Sequence, residues 1–426
     1  MHSNRIRALI PLLLAGVTAG YAQLSGFASA SYGYHSNPLY NYEEIPDQLR
    51  QGYLEVQYGR ESPSTQYRIA YVGGLMLFNQ LTDRNYYEHT LRAGFALALG
   101  SLPPKTGLKD ANAEEDDGED DSGEQTDADS LLPYLEVGIR AGGRHDKDAY
   151  KEFDNLGAAV TAGYRFRIGA VYVRVQNEAG YRGYTNLTEL SNITDVLTLQ
   201  IGRFAPGMPT YGVQVYGGVK HFTEEVFDTA RFETTRTYVE KNSGKGKSGA
   251  KLVVPSSKQI LIEPTNNTSG QVGAHLFALF PWNGGSFAAD LLCRFNIGNG
   301  TRYLAQYANT SILSEDIYND YFSYDGPAAR LVLRQRLPLD IHGIVSIDVT
   351  RKRFWAPALD LNGEETAAHR VDLDTALELY LSRYIELGRG FGLDVAFSAA
   401  AGRNQSNDDY NDYSLTSVAL SAGIGW

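Results

Sequence analysis

The last fourteen residues of this chain, Tyr413 to Trp426, alternate strictly. Trp426, Ile424, Ala422, Leu420, Val418 and Thr416 fall on one side of an extended backbone, and Gly425, Gly423, Ser421, Ala419 and Ser417 on the other. Successive side chains of a strand point to opposite faces. The segment therefore reads as a strand with one apolar face and one small, polar face, finished by an aromatic residue. The same period of two recurs along the chain, and that recurrence is what restricts the fold.

Period-2 segments separated by turn residues lie at roughly 24–34, 51–59, 65–78, 86–100, 131–144, 156–167, 170–182, 192–204, 210–222, 269–281, 286–297, 327–337, 341–354, 369–385, 391–403 and 413–426. Residues 91–99 put Leu91, Ala93, Phe95, Leu97 and Leu99 on one face. Residues 371–381 set Val371, Leu373, Thr375, Leu377, Leu379 and Leu381 against Asp372, Asp374, Ala376, Glu378 and Tyr380. Leu and Glu favour helices, but alternation held over this length selects the strand. After the first residues there is no uninterrupted apolar run of about 18, so no membrane-spanning helix is expected. The 44 Gly and 29 Tyr also argue against a helical protein, and the single Cys, Cys293, excludes an intramolecular disulfide framework. Cys293 shares an apolar face with Phe287, Ala289, Leu291, Phe295 and Ile297 and reads as a small packing residue.

At the other end, Arg5 and Arg7 precede an apolar stretch from Ala8 to about Ala19, followed by Gly20-Tyr21-Ala22. A basic start, a short apolar segment and small residues before the cut are the parts of a secretory signal peptide. Residues 1–22 are therefore expected to be removed, leaving 23–426 as the folding unit. No Cys stands at the cut, so this is not a lipoprotein signal.

The closing strand resembles that of Gram-negative bacterial outer-membrane β-barrels, in which the final aromatic and the alternating positions before it are read by the assembly machinery. The resemblance is to the porin-like class and to no specific family. It implies an all-β, antiparallel up-and-down transmembrane β-barrel in the outer membrane, with the assembly machinery and outer-membrane lipid as partners. The tyrosines suit the aromatic girdles of such barrels. The connections are an independent check, because these barrels have short turns on one side and longer loops on the other. Counting from the N-terminus, the even-to-odd connections are short, as in Ala205-Pro206-Gly207-Met208-Pro209 and Gly388-Arg389-Gly390. The odd-to-even ones at about 35–50, 223–268, 298–326 and 355–368 are long and polar. The count is about sixteen strands, with fourteen or eighteen as alternatives. Eighteen would result if Phe232–Val239 and Lys258–Glu263, the flanks of the basic stretch Lys241–Gly249, crossed the membrane rather than pairing as a hairpin above it.

One short-side connection is long. Within 101–130, residues 110–129 carry eleven acids and no Lys or Arg: Asp110, Glu114, Glu115, Asp116, Asp117, Glu119, Asp120, Asp121, Glu124, Asp127 and Asp129. Without them the formal net charge would be −1 instead of −12. Such a run cannot bury apolar surface and is expected to be a disordered insert. A solvated spacer is the simplest reading. Loose divalent-cation binding or capture of a basic partner are the others, although the run does not match a Ca²⁺-loop pattern. Within 223–268, Gly246-Lys247-Ser248 has Lys241 where a phosphate loop requires its first Gly.

His35, His89, His145, His221 and His369 lie near predicted outer strand ends, with Asp408, Asp409 and Asp412 in another outer loop. Hydrolytic or metal chemistry could be assembled from them, but no H-x-x-x-H or H-E-x-x-H spacing and no G-x-S-x-G motif unites them. No cofactor motif is present, and no basic patch with stacking aromatics suggests nucleic acid. The lumen is more informative. If the apolar faces meet lipid, Arg140, Arg144, Arg165, Arg167, Arg174 and Arg182 line one side of the pore, with Glu136 and Glu178 among them. Asp348, Asp372, Asp374, Glu378 and Asp394 line another, with Lys352 and Arg330, Arg334 and Arg336 beside them. In a sixteen-stranded barrel the two walls face each other. The leading reading is a passive channel for small polar solutes. The alternatives are an occluded barrel that binds a protein partner, and a hydrolase at the rim.

Overall fold

The computed structural model describes residues 23–38, 40, 44–62, 64–99, 133–147, 151, 153–204, 207–224, 229–240, 251–262, 267–298, 321–360, 365–388 and 390–426. The expected signal peptide and the acidic run at 110–129 lie outside them. Nine strands come first: β1 (Gln23–His35), β2 (Asp47–Glu61), β3 (Thr65–Phe78), β4 (Tyr86–Ala98), β5 (Tyr134–Asp146), β6 (Asn155–Ile168), β7 (Val171–Tyr184), β8 (Asn192–Arg203) and β9 (Thr210–Phe222). Then follow β10 (Thr229–Glu240), β11 (Lys251–Ile262), β12 (Thr268–Trp282), β13 (Gly285–Ile297), β14 (Tyr324–Leu337), β15 (Ile341–Leu359), β16 (Glu365–Gly388), β17 (Phe391–Ser406) and β18 (Tyr413–Gly425). Sixteen of these close an antiparallel barrel in which sequence neighbours are spatial neighbours, except that β9 pairs with β12. β10 and β11 pair only with each other, from Thr229 with Ile262 to Glu240 with Lys251. The barrel is therefore sixteen-stranded, and the fourteen- and eighteen-strand alternatives fall. The sequence could not separate a spanning pair from a free hairpin, because segments of this length fit either, and the pairing decides it.

Closure brings the chain ends together. The Gly26 N–H donates to the Trp426 carbonyl at 2.9 Å and the Trp426 N–H to the Gly26 carbonyl at 3.0 Å. A side chain on Gly26 would collide with the Trp426 ring, so this seam requires glycine. The alternation of exposure confirms the two faces. Leu91, Ile139, Val160, Leu276, Leu291, Leu377 and Leu420 are exposed on the outer wall, an apolar surface far larger than a soluble monomer tolerates. On β16 the outward positions from Val371 to Leu381 are Val, Leu, Thr, Leu, Leu and Leu, bracketed by His369 and Arg383. Ten residue steps cover about 33 Å along a strand, or about 25 Å along the axis at a tilt near 40°, the height of a barrel's lipid-facing band.

The rim that carries the termini has tight turns. At Pro338–Asp340, Leu339 and Asp340 adopt φ of 63° and 56°, and Arg336 donates to the Asp340 carboxylate at 2.7 Å. That hydrogen bond, with the arginine's charge, holds the Asp340 carboxyl below its ordinary pKa. The opposite rim carries the longer loops and two apolar clusters. Ile45, Met76, Phe78, Leu81 and Tyr86 form one, and Tyr324, Phe354, Ala356, Leu359 and Tyr410 the other. Buried carboxylates anchor the loops beside them. Asp47 accepts the N–H groups of Gln80 and Leu81, both at 2.9 Å, and Asp408 accepts that of Leu359 at 3.0 Å.

Candidate functional site in the barrel lumen

Because alternate residues face inward, each strand contributes one row of side chains to the lumen. The walls anticipated from sequence come from β5–β7 and β14–β17, and every candidate stands at an inward-parity position. In the closed order, β6 and β16 are eight places apart in a ring of sixteen, so they lie opposite each other.

The arginine wall is organised by its two glutamates. Arg165 and Arg174 are directly paired across β6 and β7, an arrangement that repels unless an anion intervenes. Glu136 supplies it, with Arg165 at 3.1 Å and Arg174 at 2.8 Å. The Arg165 guanidinium also lies 4.4 Å over the Tyr134 ring. Arg140 is paired in register with Arg92 of β4 and meets Glu178 at 3.0 Å. Thr161 donates to the same Glu178 carboxylate at 3.3 Å. Arg167 donates to the Gly169 carbonyl at 2.9 Å, close to a turn at the termini rim. Arg144 is different, being buried at the other rim. Its Nε donates to Asp146 at 2.7 Å and its guanidinium lies 3.9 Å over the Tyr86 ring.

The acidic wall is likewise compensated. Asp348 faces Arg330 in register at 3.4 Å. Asp374 meets Lys352 at 3.2 Å, and Glu378 accepts from Ser346 at 3.1 Å. Asp394 is inward on β17, in register with Tyr384. Asp372 is buried at the long-loop rim, where it accepts Arg370 Nε at 2.9 Å and the Ser406 hydroxyl at 2.7 Å. Arg370 stacks 4.2 Å over Phe354. The ion pairs described thus run along the walls, within one strand, between neighbouring strands or between strands one apart, and each wall carries both signs.

Two cavities open between these side chains. One, of about 250 Å³, is lined by Glu88, Arg140, Arg144, Glu178, Arg182 and Thr194. The other, of about 360 Å³, is lined by Gln214, Tyr216, His275, Asp290, Arg294, Arg330 and Asp348. Val196 of β8 borders both. The pair of His275 Nε2 and Asp290, 2.9 Å apart, was not singled out from sequence. The inward parity that Gln271 and His275 share on β12 is the signal that finds it.

The outer histidines do not gather in one place: the His89 and His145 rings both pack on Tyr87, while His221 and His369 stand on other strands. His89, His145, His221 and His369 stand on the outer wall at the long-loop end. His89 meets the Tyr71 hydroxyl at 2.5 Å and His221 the Thr268 hydroxyl at 2.9 Å. His35 points inward and is buried, accepting the Asn37 N–H at 3.0 Å. Among the described residues no group of three or more His, Cys, Asp or Glu is placed to hold a metal ion.

No protein-family model matches this sequence, and neither does any curated protein. Among solved structures, the outer membrane protein OpdK of Pseudomonas aeruginosa is similar at 11% identity and a TM-score of 0.43, over 95% of this chain and 99% of that one. OccK2 (OpdF) of the same organism, in complex with glucuronate, is similar at 12% identity and a TM-score of 0.42, over 95% and 98%. A loop L8 deletion mutant of OmpT, an outer membrane protein of Vibrio cholerae, is similar at 9% identity and a TM-score of 0.36, over 95% of this chain. The fold stands on the strand pairing itself.

Proposed function

We propose that this chain is a passive channel for small polar solutes in the outer membrane of a Gram-negative bacterium. The observation that carries the reading is the inner surface. Inside a wall whose outer face is apolar over about 25 Å, the mid-barrel rows are polar, half-exposed and arranged around cavities. An occluded structural barrel would join its opposite walls by ion pairs, whereas the pairs described here run along each wall. Opposed rows of mixed charge in a low-dielectric shell orient dipolar solutes and set ion preference. The rim-hydrolase alternative finds no support in histidines spread over four outer strands.

Purified protein in planar bilayers is expected to show discrete single-channel conductance in simple salt. A protein that inserts, as judged by its heat-modifiable migration, yet conducts nothing would overturn the channel and leave the sealed barrel.

A further inference from the structure

At the long-loop end of the outer wall, three exposed arginines whose side chains have no ion pair or hydrogen bond among the described residues stand together in one sector, Arg351 and Arg353 on β15 and Arg403 on β17, while Arg50, similarly exposed, stands apart on β2. Each of the three stands where the apolar row of its own strand stops. On β15 the outward residues run Val345, Ile347, Val349 and then Arg351, Arg353 and Trp355. On β17 they run Val395, Phe397, Ala399, Ala401 and then Arg403. Between them, β16 keeps its apolar row going higher. Its Val371 is in register with Arg353, and its Leu373 with Arg351 on one side and Gln405 on the other. Arg403 is in register with Thr375, the next outward residue down. Strands two apart are about 10 Å apart, so the arginines flank a narrow apolar strip at Val371 and Leu373. The nearest carboxylate on this face, Asp325, is in register with Arg353. It accepts the backbone N–H of Asn296 and makes no ion pair with Arg353. Trp355, exposed beside the group, is an aromatic of the kind that marks the boundary between hydrocarbon and headgroups. The termini rim differs. Its outward arginines, Arg60, Arg203 and Arg383, stand on β2, β8 and β16, no two of them neighbours in the barrel.

Three guanidinium groups on successive rungs of neighbouring strands, with one carboxylate beside them, repel one another unless a further anion joins them. Guanidinium binds phosphate oxygens in a bidentate fork, and long basic side chains reach from the band edge to the headgroups. We propose that Arg351, Arg353 and Arg403 hold the phosphate groups of an anionic lipid in the leaflet on the long-loop side, with its acyl chains lying over Val371 and Leu373. The inference rests on the barrel spanning a membrane and not on its being a channel.

The test uses the full chain in zwitterionic detergent. It is titrated with lipid A, a diphosphorylated glycolipid, and in parallel with phosphatidylcholine and inorganic phosphate, and bound lipid is read by native mass spectrometry. The native protein should retain lipid A and not phosphatidylcholine. The triple variant R351Q/R353Q/R403Q should bind lipid A roughly a hundredfold more weakly, at about fivefold for each basic residue near an anionic surface. The variant R60Q/R203Q/R383Q should bind like the native protein. Equal loss in the two triple variants, or none in the first, would overturn the site. Displacement of lipid A by inorganic phosphate at equal concentration would show a free-anion site instead. If the first triple does not fold, R351Q and R403Q singly should each show the fivefold loss, and unchanged binding in both would refute the proposal. Failure of the native protein to insert into any vesicle would overturn the membrane-spanning reading instead.

Discussion

Two kinds of Arg–carboxylate pair face the inside of this barrel. At the long-loop rim, the side chains of Arg370 and Asp372 are 6% and 1% exposed, and those of Arg144 and Asp146 are 8% and 1%. In each case the partners are two residues apart on one strand, and the guanidinium lies on an aromatic ring, Phe354 or Tyr86, that belongs to a rim cluster. At mid-barrel, Arg140 and Glu178 are 49% and 41% exposed and join strands separated by one other. The chemistry is the same, but the dielectric surroundings are not. A charge out of water depends on its partner, because removing one member strands the other. A pair in water is screened, and its loss is largely made good by solvent. The rim pairs therefore fix the long-loop end of the barrel, while the mid-barrel pairs stay in contact with solvent.

The largest effects should come from the rim. Asp372→Ala or Asp146→Ala leaves a buried guanidinium without its carboxylate and should cost about 3–5 kcal/mol of unfolding free energy, read as a lowered urea midpoint in lipid or detergent. Glu178→Ala should cost less than about 1 kcal/mol. Equal losses at the two places would break the comparison. Lys352 and Asp374 sharpen it, since the lysine is 11% exposed and the aspartate 37%. Asp374→Asn should cost about 2 kcal/mol, between the two classes, because the amide still offers an oxygen to a lysine that has lost most of its water.

Next in size are effects on ion preference with the fold intact. Replacing Arg140, Arg165 and Arg174 by Ala removes three positive charges and leaves Glu136 and Glu178, so the channel should shift towards cations. Replacing Asp348, Asp374 and Glu378 by their amides should shift it towards anions. Reversal potentials under a salt gradient measure both. Asp372, although on the same inward row, is left out because its burial would mix a stability change with a pore effect. If neither set moves the reversal potential while conductance persists, these side chains do not line the path. Both shifts should shrink as salt rises and the Debye length falls from about 8 Å to 3 Å.

Much of this architecture was legible because a strand states its two faces in plain alternation. Residues 371–381 placed Leu377 outside and Glu378 inside before any pairing was known, and Tyr413–Trp426 announced the closing strand. Three things were not legible. β10 and β11 fit a spanning pair or a free hairpin by length alone, and only their pairing with each other and not with β9 and β12 marks them as a separate hairpin. β15 and β16 run to Leu359 and start at Glu365, beyond the band edge where the apolar pattern stops, because backbone pairing continues in water without needing an apolar face. The rim brackets were hidden for a subtler reason. Arg370–Asp372 and Arg144–Asp146 have the same inward parity as the mid-barrel charges, and their burial is conferred by Tyr86, Phe354 and the loop residues Ile45, Leu81 and Tyr410, which are remote in sequence.

The smallest effect is expected from the largest concentration of charge. The acidic residues 110–129 belong to the connection between β4 and β5. On either side of that connection the chain is already closed, because the Leu99 N–H donates to the Pro133 carbonyl at 2.7 Å. Below it the two strands pair without interruption from Ala98 with Tyr134 upwards. The excursion therefore leaves and rejoins the sheet at hydrogen-bonded neighbours, and none of the strand pairing requires it. Deleting 110–129 should leave the urea midpoint unchanged within about 0.5 kcal/mol, although it removes eleven negative charges. The chain joins the barrel at Leu99 and Pro133, at the strand ends, so the acids are predicted to act on ion preference only at long range. A slight loss of cation preference should thus be measurable at about 0.01 M salt, where the Debye length is near 30 Å, and absent at 1 M, where it is near 3 Å. A deletion variant that does not assemble would show that the run has a folding role. A preference change that survives at 1 M salt would place these acids inside the conducting path, and the division between structural rim and functional lumen would then need a third region.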